Sequence, residues 1–189
     1  MLVLASRSPR RSEILRQAGI PFVVRAAEVD ESPIAGEAPE RYVTRLAEAK
    51  ACAAPVADGE IVLGADTTVV AHGEMLGKPA DAVDACRMLR LLSGRRHEVL
   101  TGICLRSADA TLCDCVTTAV WFRELTESEI ADYVASGEPG DKAGAYAIQG
   151  LASKYIEKIE GCYFNVVGLP VATVWRRLTE IRPSVSTAR

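Results

Sequence analysis

The sequence predicts an α/β fold, a mixed sheet with flanking helices, and three observations carry that expectation. Short apolar, β-branched-rich runs that read as strands alternate along the chain with segments whose apolar residues fall on one helical face. Glycine and proline punctuate the changes between them. The 189 residues, 49% hydrophobic and 25% charged, suffice for one core or for two lobes sharing a cleft.

Taken in order, Leu2–Ala5 reads as a short strand. A helix opens at Ser8-Pro9, with serine as cap and proline at the first helical position, and stops at Gly19. Pro21–Arg25 is a second short strand. Pro33, Gly36 and Pro39 mark a polar loop before a helix from Pro39 to about Ala54, with Val43, Leu46 and Ala47 on one face. Ile61–Val70 is rich in β-branched residues and reads as a buried strand. Asp81–Leu92 is amphipathic and ends at Ser93-Gly94. Two further strands, His97–Arg106 and Thr111–Phe122, are joined by a turn around Ser107–Ala110. Thr126-Glu-Ser-Glu129 matches a capping box for a helix that ends at Ser136-Gly137. The glycine-rich stretch Gly137–Gly150 is an irregular loop of a length that commonly serves function. Pro170–Glu180 is a last helix. Residues 1–181 are expected to form one domain and 182–189 a frayed, flexible tail.

Composition excludes several classes. Low hydrophobicity with high net charge is absent, so disorder is not the main state. Apolar stretches fall short of the ~18 residues of a membrane span, and Met1–Ala5 reads as a strand and not as a signal peptide. A net charge of −3 draws the protein to neither nucleic acid nor anionic lipid. With 5% aromatic residues and no basic face, a nucleic-acid partner is not expected. Six cysteines without a CxxC pair are expected to be reduced in a cytoplasmic protein, with Cys113 and Cys115 on one strand face. His72 and His97 lack ligand spacing, so no zinc site is expected.

Chemistry concentrates in a few places. Ser6-Arg-Ser-Pro-Arg-Arg11 leaves a strand and enters a helix, where exposed amides, hydroxyls and the Arg10 and Arg11 guanidiniums would cradle phosphate. Asp66 stands within an apolar strand, where a carboxylate must be paired, hydrogen-bonded or metal-bound. It is the best candidate for a general base. It shares a strand face with Gly64, whose missing side chain would let a ligand approach. Lys50 prolongs an apolar helical stripe, and Lys78 is held between Gly77 and Pro79. Gly73–Lys78 superficially resembles a Walker A loop, but it is one residue short and Pro79 replaces the Ser or Thr, so a P-loop is rejected. Asp30-Glu31 and Asp141 supply carboxylates for a hard divalent cation. The residues together describe an anion site with an embedded base, suited to phosphoanhydride hydrolysis.

These motifs, in this order, resemble the Maf family of nucleoside triphosphate pyrophosphatases. The resemblance runs through Ala5-Ser6-x-Ser8-Pro9-Arg10-Arg11, Val29-Asp30-Glu31, Leu46-Ala47-x-x-Lys50 and Gly64-Ala65-Asp66-Thr67. It continues through Gly77-Lys78-Pro79, Leu92-Ser93-Gly94, Thr101-Gly102, Gly144-Ala145-Tyr146, Ile148-Gln149-Gly150 and Val167-Gly168-Leu169-Pro170. It implies an elongated mixed sheet with two lobes around a cleft, similar to inosine triphosphate pyrophosphatases. It also implies cleavage of a nucleoside triphosphate to monophosphate and pyrophosphate, with a divalent metal, Mg or Mn, and a homodimer. Carried over by position, Asp66 is the proton acceptor. Ser6, Arg11, Lys50 and Lys78 contact substrate, and Glu31 helps place the metal. The family's branches differ at positions matching Arg10, Thr67 and Gln149. Arg-Thr-Gln resembles the branch acting on dTTP and UTP, whereas the 7-methyl-GTP branch carries tryptophan, glutamine and glutamate.

Three residues depart from the pattern. Ala147 replaces a glycine, which matters if the position needs positive φ. Arg7 could add a phosphate contact, and Thr68 stands where an aliphatic residue is usual. The alternatives to a dTTP/UTP pyrophosphatase are the 7-methyl-GTP branch and a nucleotide-binding regulator of septum formation with little turnover.

Overall fold

Three long strands organise the molecule, which is described here from a computed structural model covering residues 1–26 and 28–181. The expected tail at 182–189 lies outside the described residues. In chain order the elements are β1 (Leu2–Leu4), α1 (Pro9–Gln17), β2 (Phe22–Val24), α2 (Pro39–Ala53), β3 (Ile61–Ala71), β4 (Glu74–Leu76) and α3 (Ala82–Leu92). There follow β5 (Arg96–Arg106), β6 (Thr111–Phe122), α4 (Glu127–Ala135), β7 (Ile156–Glu160), α5 (Tyr163–Val167) and α6 (Val171–Ile181). The seven strands form one sheet in the order β2-β1-β3-β5-β6-β7, with β4 paired to β3 beside that path. β1 pairs in parallel with β2 and β3, and every other pairing is antiparallel. The sheet is therefore mixed, as expected.

β3, β5 and β6 are 11, 11 and 12 residues long. At ~3.3 Å per residue each runs about 36 Å, long enough to serve two cores. Leu63 and Ala65 of β3, with Ile103 and Leu105 of β5, pack with Leu2, Leu15, Val174 and Leu178. Farther along the same two strands, Val69 and Val99 pack instead with Leu89, Phe122, Tyr133 and Tyr155. The change of core falls at Asp66–Thr68 and at their register partners Leu100–Gly102. A cleft opens there, because neither apolar cluster covers the middle of the strands.

Helix α2 lies on β3 and β5 at two glycines. A Cβ on Gly64 would stand 2.0 Å from the Ala47 carbonyl oxygen, and one on Gly102 would stand 2.2 Å from that of Val43. The gap at Gly64 is thus filled by helix backbone and not by a ligand, which corrects the sequence expectation. Cys104 belongs to this same layer, with Cys113 packed against it.

The remaining differences have local causes. Gly73–Lys78 contains β4, and its turn at His72 (φ 52°) and Gly73 (φ 78°) has positive φ at both residues, as a tight two-residue hairpin needs. Ser8 heads α1 without a side-chain cap, its own N–H donating to Ser6 Oγ at 3.2 Å. Gly137–Gly150 is not wholly irregular, since 138–141 form a single 3₁₀ turn. β4, β7 and α5 had no sequence signal. Each is five residues or fewer, and β7 reads Ile-Glu-Lys-Ile-Glu, the charged pattern of an edge strand.

Candidate active site

The cleft between the two cores has a volume of about 770 Å³, and its lining includes Ser6, Arg10, Arg11, Glu31, Lys50, Asp66, Thr67, Lys78 and Gln149. These nine sequence candidates therefore meet in one place, whereas Asp30 does not line the cleft and accepts from the Ser32 N–H at 2.9 Å within its own loop. What they do there differs from residue to residue.

Asp66 is 9% exposed, at the point where β3 leaves one core for the other. Because α2 is pressed onto Gly64 and Gly102, its last turn carries Lys50 over the strand. Lys50 Nζ lies 2.6 Å from Asp66 Oδ1 and 2.6 Å from Glu31 Oε1. The apolar-stripe position of Lys50 is thus explained, since its stem follows the buried face and its ammonium ends between two carboxylates. Asp66 Oδ2 receives no hydrogen bond among the described residues, which leaves it free to take a proton from the cleft. Burial alone would raise the Glu31 carboxyl. The bond from Lys50 and the nearby Lys78 and Arg11 charges outweigh that and hold it below the usual range.

Arg11 is not an open phosphate ligand. Its Nε donates to Gly168 O at 2.9 Å, Nη1 to Ala65 O at 2.8 Å and Ser6 Oγ at 3.1 Å, and Nη2 to Thr67 Oγ1 at 3.1 Å. Four of its five N–H groups are spent on protein acceptors, all of them neutral. Burial pulls its pKa down against the attraction of Asp66, yet the charge persists, and it points a fixed positive field at the cleft. Ser6 is likewise occupied, accepting from both Arg11 and Ser8.

The hydrogen on Thr67 has a determined direction. Thr101 Oγ1 donates to Asn165 O at 3.2 Å, which uses its single proton. The 2.9 Å contact between Thr67 and Thr101 must then carry the Thr67 proton inward. With Arg11 donating to one lone pair, Thr67 can offer a ligand only its other lone pair and its methyl group. Asn165 secures this chain from beneath, donating from Nδ2 to Val99 O and Thr118 Oγ1 at 2.9 and 3.0 Å. Thr101 stands in one of the quoted motifs without a role assigned to it, and Asn165 was not expected from sequence, because a buried polar residue in a short helix leaves no periodic mark.

The open groups lie on the rim. Arg10 faces Asp141 across the cleft at 3.8 Å. Lys78 is exposed and makes no ion pair among the described residues. The exposed Arg7 pairs with Glu28 at 2.7 Å, and both line the cleft. Tyr42, which sequence reasoning missed, donates to Glu31 O at 3.0 Å and steadies that loop. Ala147 is unstrained, since the positive φ values of the glycine-rich loop fall at Gly137 (76°), Gly144 (67°) and Ala145 (59°).

No group of three His, Cys, Asp or Glu side chains is gathered for a metal among the described residues. Yet Glu31 and Asp66 converge on one cation position, now filled by the Lys50 ammonium. Two hard oxygen donors suit a magnesium-type ion that takes its remaining ligands from phosphate and water.

The fold and the site define an α/β protein whose cationic cleft surrounds a single buried carboxylate with one open oxygen, an arrangement for an anionic, hydrolysable ligand. The chain belongs to the Maf family, described as Maf-like protein, whose match covers residues 1–181. It is 53% identical over 178 residues to the dTTP/UTP pyrophosphatase of Koribacter versatilis, spanning 94% of this chain and 92% of that one. It is 55% identical over 176 residues to the enzyme of that name from Geobacter sp. strain M21, spanning 92% and 91%. Among solved structures, a HAM1 protein from Coxiella burnetii matches with a TM-score of 0.52 at 19% identity, covering 95% of this chain and 98% of that one. That likeness concerns the fold alone.

Proposed function

We propose that this protein hydrolyses dTTP and UTP to the nucleoside monophosphate and pyrophosphate. The observation that carries the reading is Asp66, half held by Lys50 and half open to a cationic cleft, in a chain more than half identical to dTTP/UTP pyrophosphatases along almost its whole length. Lys50 fixes the carboxylate through Oδ1, so that Oδ2 is turned to accept a proton from water as the water attacks. Arg10, Lys78 and the buried Arg11 charge stabilise negative charge building on the phosphates. Glu31, with phosphate and water completing the shell, would help hold a divalent ion, Mg or Mn, which when bound supplies charge neutralisation for the leaving pyrophosphate.

The base end of the substrate belongs with Thr67 and Gln149. Thr67 can only accept, which suits the imino N–H that uracil and thymine share and cytosine lacks. The Gln149 amide can serve both a carbonyl and an N–H. The setting is cytoplasmic on this reading, and no helix among the described residues is long and apolar enough to cross a membrane.

The test is a hydrolysis panel of dTTP, UTP, CTP, GTP, ATP and 7-methyl-GTP with Mg²⁺ or Mn²⁺, with products identified. Monophosphate and pyrophosphate should arise from dTTP and UTP. Asp66→Asn should cost about a hundredfold or more in kcat. Preference for 7-methyl-GTP would overturn the substrate assignment. Nucleotide binding with no turnover would favour a regulatory protein instead.

A further inference from the structure

Gln149 is exposed, and among the described residues no hydrogen bond engages its side chain. Its position must be inherited from its neighbours, and those neighbours are tied to one carboxylate. Glu138 Oε2 accepts from the Leu151 N–H at 3.0 Å. Glu138 Oε1 accepts from the Tyr133 hydroxyl at 2.7 Å, and the same hydroxyl accepts from the Ala147 N–H at 3.2 Å. The residues two before and two after Gln149 thus hang on a single Tyr133–Glu138 pair.

Other features converge on the pair. A Cβ on Gly150 would lie 2.2 to 2.4 Å from the Glu138 carboxylate atoms, and Gly150 has φ −109°. Glycine is needed there for the approach of the carboxylate, not for a left-handed backbone. Tyr133 is 3% exposed, its ring edge-on to Tyr155 at 5.7 Å, so its hydroxyl has a fixed origin. Glu138 is itself anchored, its N–H donating to Ser136 Oγ at 3.2 Å and its carbonyl accepting from Lys142 Nζ at 3.2 Å.

We propose that Tyr133 and Glu138 are positioning residues that clamp the 147–151 segment and so fix where the Gln149 amide meets the nucleobase. Neither need touch substrate. The inference rests on the reading of Gln149 as a base-contacting residue, and the tests separate the two.

Amide exchange addresses the clamp without substrate. Glu138→Ala should speed exchange at Leu151, and Tyr133→Phe at Ala147, each by about tenfold with the central strands unchanged. Unchanged exchange at both amides overturns the clamp. Selectivity addresses its purpose. Each variant should lower the UTP-to-CTP ratio of kcat/KM by about tenfold, as should Gln149→Ala. Combining Tyr133→Phe with Gln149→Ala should add little to the loss from Gln149→Ala alone. Losses that multiply would mean the pair acts elsewhere, which overturns the proposal. If the wild-type chain turned over neither dTTP nor UTP, the functional reading would fail while exchange still decided the clamp.

Discussion

Arg11 shows how a residue's type and its task can part company. A guanidinium in the first turn of a helix beside serines looks like a phosphate ligand, yet it is 9% exposed and bonded to four neutral acceptors. Those acceptors come from as far as 157 positions along the chain, so no local pattern could reveal them. Asp66 and Lys50 were legible for the opposite reason, since a charge in an apolar stripe is an anomaly that sequence displays directly. The reading of Arg11 separates two outcomes for Arg11→Lys. Lysine's three donors radiate from one nitrogen and cannot serve four acceptors set around a planar fork. Two of those acceptors are buried carbonyls, so the variant should lose about 2–4 kcal/mol of stability, read from its urea midpoint. An unchanged midpoint with only a raised KM would restore Arg11 to the role of simple phosphate ligand.

The elements that place the site are β3, β5 and α2, and their contact depends on having no side chains at Gly64 and Gly102. Sequence reading found the helix and both strands with close boundaries. It could not say which surface Gly64 served, because a glycine is equally suited to a ligand and to a helix backbone. The consequence is measurable. Gly64→Ala or Gly102→Ala drives a methyl group into a helix carbonyl, which cannot swing aside as a flexible side chain can. Either variant should cost about 1–3 kcal/mol or more. Lifting α2 also carries Lys50 away from Asp66, so turnover should fall beyond what the unfolded fraction explains. Normal activity from a folded Gly64→Ala protein would show that α2 does not set the Lys50–Asp66 contact. By contrast, α4 rests on local chemistry that sequence displays in full, as both halves of the Thr126–Glu129 box are formed. Thr126→Ala should cost about 1 kcal/mol, read from its thermal midpoint, without altering catalysis.

For the molecule as a whole, the buried His97 couples stability to acid. It is 2% exposed, with Nε2 paired to the Tyr146 hydroxyl at 2.9 Å and Phe122 edge-on to its ring. Burial holds its pKa down to about 4, against an ordinary value of 6.5. Between those values the unfolded chain binds a proton there that the folded protein does not. Stability from this group is therefore complete above pH 6.5 and drains away as pH falls toward 4. The loss is on the order of 3 kcal/mol, and it falls on the core that holds Tyr146 and the loop bearing Gln149. Glu60 and Glu129 are held near 2, by Arg25 and Arg123 first among their partners, and their contributions fade only below about pH 4.5. His97→Gln can keep a hydrogen bond to Tyr146 while removing the titration. Its stability at pH 7 should be lower than that of the wild-type chain, and the gap should close progressively between pH 6.5 and 4. A gap that stayed constant across that window in urea unfolding would mean that His97 titrates alike in the folded and unfolded chains, and that acid acts on this protein through its carboxylates alone.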